Sequence, residues 1–156
     1  MKRIKVIITA LLALAAIGES YSQQPIVEDP TNWTYEAKKV ADGEYEFVFH
    51  LNLKEGWHIW SLKPGGDGYE IVPSFTFDKG VTPETALAEK GNPVTVLMDG
   101  MDNKVTYLSG QVDYVQKVKV KGNGKVSGEH EYQVCNEMMC LPPKKKKFEI
   151  DLSAMK

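Results

Sequence analysis

Residues 44–53 read EYEFVFHLNL, and a large apolar side chain occupies every second position of this stretch. The apolar positions are Tyr45, Phe47, Phe49, Leu51 and Leu53. Successive side chains of a β-strand point to opposite faces, so a two-residue period collects these five on one side. The pattern therefore predicts a β-strand with one face in a hydrophobic core.

Turn residues and shorter apolar segments continue this pattern along the chain. Asp42-Gly43 predicts a hairpin turn from an earlier strand, in which Trp33, Tyr35 and Ala37 alternate with polar residues. Further strands are predicted at residues 57–60, 71–77, 94–97, 105–108, 112–120, 126–134 and 148–152. About eight short strands separated by Gly and Pro turns indicate an all-β fold, an immunoglobulin-like antiparallel β-sandwich.

Two segments depart from the strand pattern. Residues 64–68, PGGDG, predict a loop; it is not a phosphate-binding loop, because no GKS or GKT sequence follows it. Residues 83–90 have a helix-like composition, but the segment is too short to matter to the fold.

The composition is that of one globular domain. The chain has 156 residues, of which 42% are hydrophobic and 26% are charged, close to the average of globular proteins. Its 19 basic and 21 acidic residues leave a net charge of -2. A chain without an excess of basic residues has no field that gathers phosphates, so we exclude nucleic acid as a partner.

The first 22 residues have the pattern of a secretory signal peptide. A basic start, MKRIK, precedes an apolar run at residues 6–17, and Ser20 and Ser22 mark a cleavage site. The run is shorter than the roughly 20 residues that a membrane-spanning helix needs. We expect cleavage after Ser22, a domain at residues 23–156 with no stable membrane anchor, and a periplasmic or secreted location in the bacterial cell envelope.

The segment that carries chemistry is YQVCNEMMCLPP, residues 132–143, which holds the two cysteines of the chain, Cys135 and Cys140. Both lie where a predicted strand ends and a proline-stiffened segment begins. One hypothesis is a structural disulfide in a sandwich that binds other envelope proteins. Closing so short a loop would contribute only about 2 kcal/mol, which a domain with its own core does not need.

Two other hypotheses use the sulfurs for binding or exchange. Cu(I) or another soft metal would be held by both cysteines with Met138 or Met139, and with His58 or His130 as a nearby candidate. A redox-active dithiol would need two cysteines close enough to bridge and one accessible sulfur. Residues 144–147, KKKK, are interpreted as a solvated edge rather than as an activator of the thiols.

Aromatic and imidazole side chains elsewhere have simpler interpretations. Trp57 and Trp60 are predicted to be core or sheet-face residues, with lining of the cysteine site as the alternative. His50 and His58 are predicted to face solvent from their strands. The sequence offers no Ser-His-Asp arrangement, no paired carboxylates for catalysis and no cofactor fingerprint.

The stretch YQVCNEMMCLPP resembles the signature of the N-terminal periplasmic domain of the thiol:disulfide interchange protein DsbD, a disulfide-bond corrector-like family. In that family, Y-Q-x-C leads into a short loop that ends in C-x-P-P. The likeness extends over residues 33–152 and includes K-E-G-W at residues 54–57. Four residues separate the cysteines in this chain, whereas the best-known members have five.

The resemblance implies an immunoglobulin-like domain that exchanges thiols and disulfides. Cys140 would form the mixed disulfide with a partner, and Cys135 would resolve it. The pair would work without a cofactor or a metal. For this free-standing domain, the expected partners are thioredoxin-like envelope oxidoreductases and a separate membrane electron relay.

The resemblance also implies a loop that shields the cysteine pair until a partner docks. By its order along the chain, this cap loop falls at residues 98–103, MDGMDN. The family carries an aromatic side chain there. In this chain, Met98 or Met101 would have to cover the sulfurs.

Overall fold

The computed structural model describes residues 28–153 and residue 155, so the predicted signal peptide lies outside the described residues. Within these residues the chain forms ten β-strands and no helix, and none of it could cross a membrane as a helix. The strands are β1 (Thr31–Ala41), β2 (Glu44–Leu53), β3 (His58–Gly65), β4 (Ser74–Phe77), β5 (Val81–Pro83), β6 (Ala88–Val96), β7 (Val105–Val120), β8 (Lys125–Tyr132), β9 (Val134–Cys135) and β10 (Lys144–Asp151).

The strands form two antiparallel sheets. The first sheet runs in the order β1-β2-β7-β3-β9, and β5 and β6 also pair with β7. The second sheet has the order β10-β8-β4. The predicted all-β, immunoglobulin-like sandwich is therefore confirmed.

The core lies between the two sheets and is centred on β2. The five alternating residues of the EYEFVFHLNL stretch are all buried. The ring centroid of Phe49 lies 4.3 Å from that of Phe75 in β4 and 5.0 Å from that of Phe148 in β10. Burying a phenylalanine side chain contributes roughly 1.5–3 kcal/mol, so this aromatic contact is a main reason why the second sheet packs here.

β7 is one continuous strand where the sequence pattern predicted two, at residues 105–108 and 112–120. The strand changes its partner at Gly110, whose φ of 69° suits glycine. Residues 105–109 pair with β3, and residues 111–119 pair with β2. Because β3 in turn pairs with β9, the first half of β7 supports the strand that carries Cys135.

Other boundaries also differ from the predicted ones. β3 continues to Gly65, into the segment predicted as a loop, and the helix-like residues 83–90 contribute to β5 and β6 instead. The predicted strand at residues 126–134 is divided into β8 and β9, which belong to different sheets. Gly and Pro mark turns in the sequence, but no Gly or Pro lies at Gln133, between β8 and β9. The two strands are separate because β8 pairs with β10 and β4, whereas β9 pairs with β3.

The lysine run forms the start of β10 and alternates between two sets of partners. Lys144 and Lys146 reach Asp29, with N–O distances of 3.2 and 3.0 Å. Lys145 lies 3.7 Å from Glu131 in the neighbouring β8. Three of the four lysines of the run therefore lie close to carboxylates of the sandwich.

Candidate functional site at the Cys135–Cys140 disulfide

Cys135 and Cys140 form a disulfide, and the two residues differ in exposure. Cys135 lies in β9 directly opposite His58 of β3 and is only 2% exposed. Cys140, after the intervening turn, is exposed. One sulfur-bearing residue is thus held by the sheet, while the other lies where a second protein can reach it.

The four residues between the cysteines form a tight turn around Asn136. Its Oδ1 accepts hydrogen bonds from the N–H groups of Met138 and Met139, at 2.9 and 2.8 Å. The Asn136 N–H donates to the Met139 carbonyl oxygen at 2.8 Å, and the Leu141 N–H donates to that of Val134 at 2.9 Å. An asparagine side chain that folds its own backbone in this way stabilises the turn, which brings the two cysteines together.

The disulfide lies in the wall of an open pocket of about 270 Å³. Strands β3 and β9 and three loops contribute to it. Its lining residues are His58, Trp60, Tyr69, Glu70, Met98, Asp99, Met101, Gln133, Cys135, Asn136 and Cys140.

The predicted cap loop lies against this pocket. Met98 and Met101 pack on a small cluster that contains Trp60, Val105 and Cys135. The Met101 N–H donates to the Met98 carbonyl oxygen at 3.1 Å, which closes a turn. The loop therefore lies beside the cysteine pair, as its order along the chain suggested, and its role as a shield stays a prediction.

One carboxylate ties the cap loop to the turn after β3. The carboxylate of Asp67 accepts hydrogen bonds from the N–H groups of Asp102 and Asn103, at 2.9 and 3.0 Å, and from the Asn103 side chain at 2.8 Å. The bonds from Asp102 and Asn103 lower the pKa of Asp67 below its ordinary value. The ionised form is the one that holds the loop.

Tyr69 and Glu70, which follow the predicted PGGDG loop, line the pocket as well and were not predicted from the sequence. Tyr69 lines the pocket and is 87% exposed. The carboxylate of Glu70 accepts the N–H of Gly68 at 2.9 Å, which keeps it in the same loop. A bulky aromatic residue beside a glycine-rich loop was the available signal.

The prediction for His58 was wrong, because this residue is 8% exposed and lines the pocket. The rings of Tyr107 and Trp60 pack on the imidazole, with centroids 4.3 and 5.1 Å away, and cover it. Burial lowers the pKa of His58. Trp60 is buried and lines the same pocket, whereas the half-buried Trp57 packs against the main core.

The other two histidines lie outside the pocket. His130 is buried in the main core, where its Nε2 lies 2.9 Å from the Tyr35 hydroxyl and its ring stacks on Phe75. His50 is half-buried rather than solvent-facing, with its Nδ1 2.7 Å from a carboxylate oxygen of Asp113.

The residues proposed for a soft metal are not gathered in one place. His130 is in the core, and Met138, which is 89% exposed, does not line the pocket. Between residues 28 and 153, and at residue 155, there is no group of three or more His, Cys, Asp or Glu residues that could hold a metal ion. The described part of the site offers a disulfide, an imidazole and thioethers.

Comparison with known structures gives the same sandwich. The N-terminal periplasmic domain of ScsB from Proteus mirabilis superposes with a TM-score of 0.66 at 16% identity, over 82% of this chain and 49% of that one. This chain thus spans about half of the ScsB domain. The GAE domain of GGA2p from Saccharomyces cerevisiae matches with a TM-score of 0.50 at 6% identity, over 81% and 96% of the two chains.

Three further comparisons concern a DsbD complex, curated proteins and a protein family. A structure of the complex between the DsbD N-terminal and PilB N-terminal domains from Neisseria meningitidis matches at 17% identity with a TM-score of 0.42, covering 81% of this chain and 88% of that one. No curated protein sequence matches the chain. The family described as thiol:disulfide interchange protein DsbD, N-terminal, matches residues 23–152. That match covers most of the chain and includes both cysteines, so the chain belongs to the family of DsbD N-terminal domains.

Proposed function

We propose that this chain passes reducing equivalents between redox proteins of the cell envelope through Cys135 and Cys140. The observation that carries the proposal is the unequal exposure of the two residues in one disulfide. Exchange needs one sulfur that a partner can reach and a second that stays behind to close the disulfide again. The exposed Cys140 and the buried Cys135 suit these two tasks.

The exchange balances as two successive displacements. The thiolate of reduced Cys140 attacks the partner's disulfide, a mixed disulfide forms, and the partner's first sulfur leaves as a thiolate that takes up a proton. Cys135 then loses its proton and attacks Cys140, and the partner's second sulfur leaves. Two electrons move from this chain to the partner, and the Cys135–Cys140 disulfide is restored.

The surface around the disulfide suits docking of a protein. Met138 and Met139, in the turn between the cysteines, are exposed, and the exposed Tyr69 lines the pocket. Large apolar side chains clustered on a surface mark interaction sites, and flexible methionines adapt to different partners. Thioredoxin-like oxidoreductases, the partners implied by the family, are the proposed clients, with a separate membrane relay as the electron donor.

The proposed location is the periplasm or another extracytoplasmic part of the cell envelope. Family membership and the signal-peptide pattern at residues 1–22 support it. Disulfides persist in such oxidising compartments.

Trapping of the mixed disulfide tests the proposal. Cys135→Ser leaves Cys140 able to attack but removes the sulfur that would release the partner. We expect this variant to accumulate adducts with thioredoxin-like envelope proteins that are visible on non-reducing gels and disappear with reductant. Cys140→Ser should capture few or none, because the remaining thiol is buried.

The double variant, with serine at both positions, is the matched control and should form no adduct. Equal trapping by the two single variants would contradict the ordered exchange. Absence of adducts from both would favour a structural disulfide.

A further inference from the structure

His58 is a buried titratable group that the exchange described above does not use. It is the cross-strand partner of Cys135, and both residues line the pocket. Directly opposed residues of an antiparallel pair have Cβ atoms about 4.5–5.5 Å apart on the same face of the sheet. The imidazole and the Cys135 sulfur are therefore neighbours.

The Nε2 atom of His58 is buried and has no hydrogen-bond partner. A buried polar atom without a partner costs free energy, so such an atom in a site calls for an explanation. The ring is held in place by Tyr107, whose centroid is 4.3 Å away, and by Trp60 at 5.1 Å. The imidazole is thus positioned by aromatic packing while one nitrogen remains free to bind a proton.

The second displacement of the exchange needs a proton acceptor. A thiol buried in apolar surroundings ionises less readily than an exposed one, yet only the thiolate attacks a disulfide. Cys135 is 2% exposed, so solvent is a poor acceptor for its proton. From these observations, and resting on the proposed function, we infer that the Nε2 of His58 accepts the thiol proton of Cys135 as its sulfur attacks Cys140.

The step is balanced without a further reactant. The Cys135–Cys140 bond forms, the bond from Cys140 to the partner sulfur breaks, and the proton of Cys135 moves to His58. The departing partner sulfur carries the electron pair, and the imidazolium, whose ring lines the open pocket, then loses a proton to water. In the opposite direction, the imidazolium returns the proton to Cys135 as it leaves.

Burial leaves the imidazole neutral and able to accept a proton. Burial lowers the pKa of His58, so the ring is an acceptor at neutral pH. The titratable groups that face it from the other elements are Tyr107 of β7, Tyr69 and Glu70 of the loop after β3, Asp99 of the cap loop, and the two cysteines.

A small aromatic disulfide, 5,5′-dithiobis(2-nitrobenzoate), separates the two displacements. Added in equal amount to the reduced protein, it releases one thionitrobenzoate when Cys140 attacks and a second when Cys135 closes the disulfide. We expect His58→Gln to leave the first release unchanged and to slow the second by about 100-fold near pH 7, a common contribution of a general base. The wild-type rate of the second release should vary little between pH 6.5 and 8.

The pH profile distinguishes proton transfer from a packing role. In His58→Gln the rate of the second release should rise about tenfold per pH unit, because the rate then follows only the fraction of Cys135 that is thiolate. Imidazole added to His58→Ala should restore part of the lost rate. His50→Gln is the matched control, since it removes a histidine outside the pocket, and it should behave as the wild type.

Three results would overturn the inference. A second release that is equally fast in His58→Gln and wild type shows that His58 does not take the proton. If His58→Gln does not fold, the wild type still gives a test. A wild-type rate of second release that rises tenfold per pH unit would exclude His58 as the proton acceptor. Failure of the wild type to make even the first release contradicts the proposed function itself, and the inference falls with it.

Discussion

At the scale of single residues, the burial of His130 makes the stability of the fold depend on pH. It is 1% exposed and surrounded by rings, with Trp33 at 4.3 Å and Phe75 at 5.3 Å between centroids. This burial, with a smaller effect of the positive charge of Lys146, lowers the pKa of His130 to about 4. The neutral imidazole instead interacts with the Tyr35 hydroxyl.

The pKa of His130 predicts a loss of stability in mild acid. The unfolded chain protonates this residue near pH 6.5, whereas the folded chain does so only near pH 4. Between these values the unfolded state binds more protons, so the free energy of unfolding falls as the pH falls, by up to about 3 kcal/mol. Urea unfolding of the wild type at pH 7 and at pH 4 should show this loss.

Substitution isolates the contribution of His130 from that of His58, whose pKa is lowered as well. His130→Phe should remove most of the acid-induced loss in the free energy of unfolding that His130 causes, because phenylalanine cannot be protonated. Tyr35→Phe is the control, since it removes the same hydrogen bond and keeps the imidazole. If His130→Phe loses as much stability in acid as the wild type, the imidazole is not responsible.

At the scale of elements, the cap loop and the turn after β3 act as one unit through Asp67. Three hydrogen bonds join the Asp67 carboxylate to residues 102 and 103, and the loop packs on Trp60 and Cys135 through its methionines. Thioether packing is adaptable, so it does not by itself fix the position of the loop. The carboxylate supplies the directional restraint that methionine packing lacks.

Asp67→Ala should loosen the cap loop, which packs against Cys135, and make that residue more accessible. We expect alkylation of Cys135 in the reduced protein by iodoacetamide to become several-fold faster, and Met101→Gly to have the same effect by removing a side chain of that contact. The free energy of unfolding should change little, since the loop lies on the surface.

Asp102→Ala is the matched control, because it removes a carboxylate from the same loop but keeps the N–H group that Asp67 binds. Its alkylation rate should equal that of the wild type. If Asp67→Ala is alkylated no faster than the wild type, residues 98–103 do not restrict access to the sulfurs.

At the scale of the whole molecule, we predict that the chain is exported before it carries out any exchange. The predicted mature domain begins at Gln23, and the family match begins at the same residue. The domain has its own core between the two sheets, and the disulfide closes only a short local loop. We therefore expect the fold to persist when the disulfide is reduced, as the proposed exchange requires.

Removal of the first 22 residues is the corresponding prediction. The intact mass of the exported protein should be that of a chain starting at Gln23. Ser22→Lys should retain the precursor, because the cleavage site needs small residues, whereas Ser22→Ala should be processed normally. An exported wild-type protein that keeps its N-terminus in the membrane fraction would contradict the assignment.

Much of the fold could be predicted because strand patterns are local. The two-residue period of residues 44–53 determines which face of β2 is buried, whatever the strand pairs with. The local structure of the cysteine segment could also be predicted, since a strand end, a short turn and two prolines follow one another in the sequence. Strand boundaries were less predictable: β7 continues through Gly110 because partners on both sides extend it.

The surroundings of the disulfide were decided by tertiary structure alone. His58, Tyr69 and Met101 are distant from Cys135 in the sequence, and no local pattern states that β3 pairs with β9. Such pairing depends on which buried faces fit together after the chain closes long loops. The amino-acid sequence by itself determined a β-sandwich with two cysteines at the end of a strand and predicted its export, whereas packing determined which side chains surround the two sulfurs.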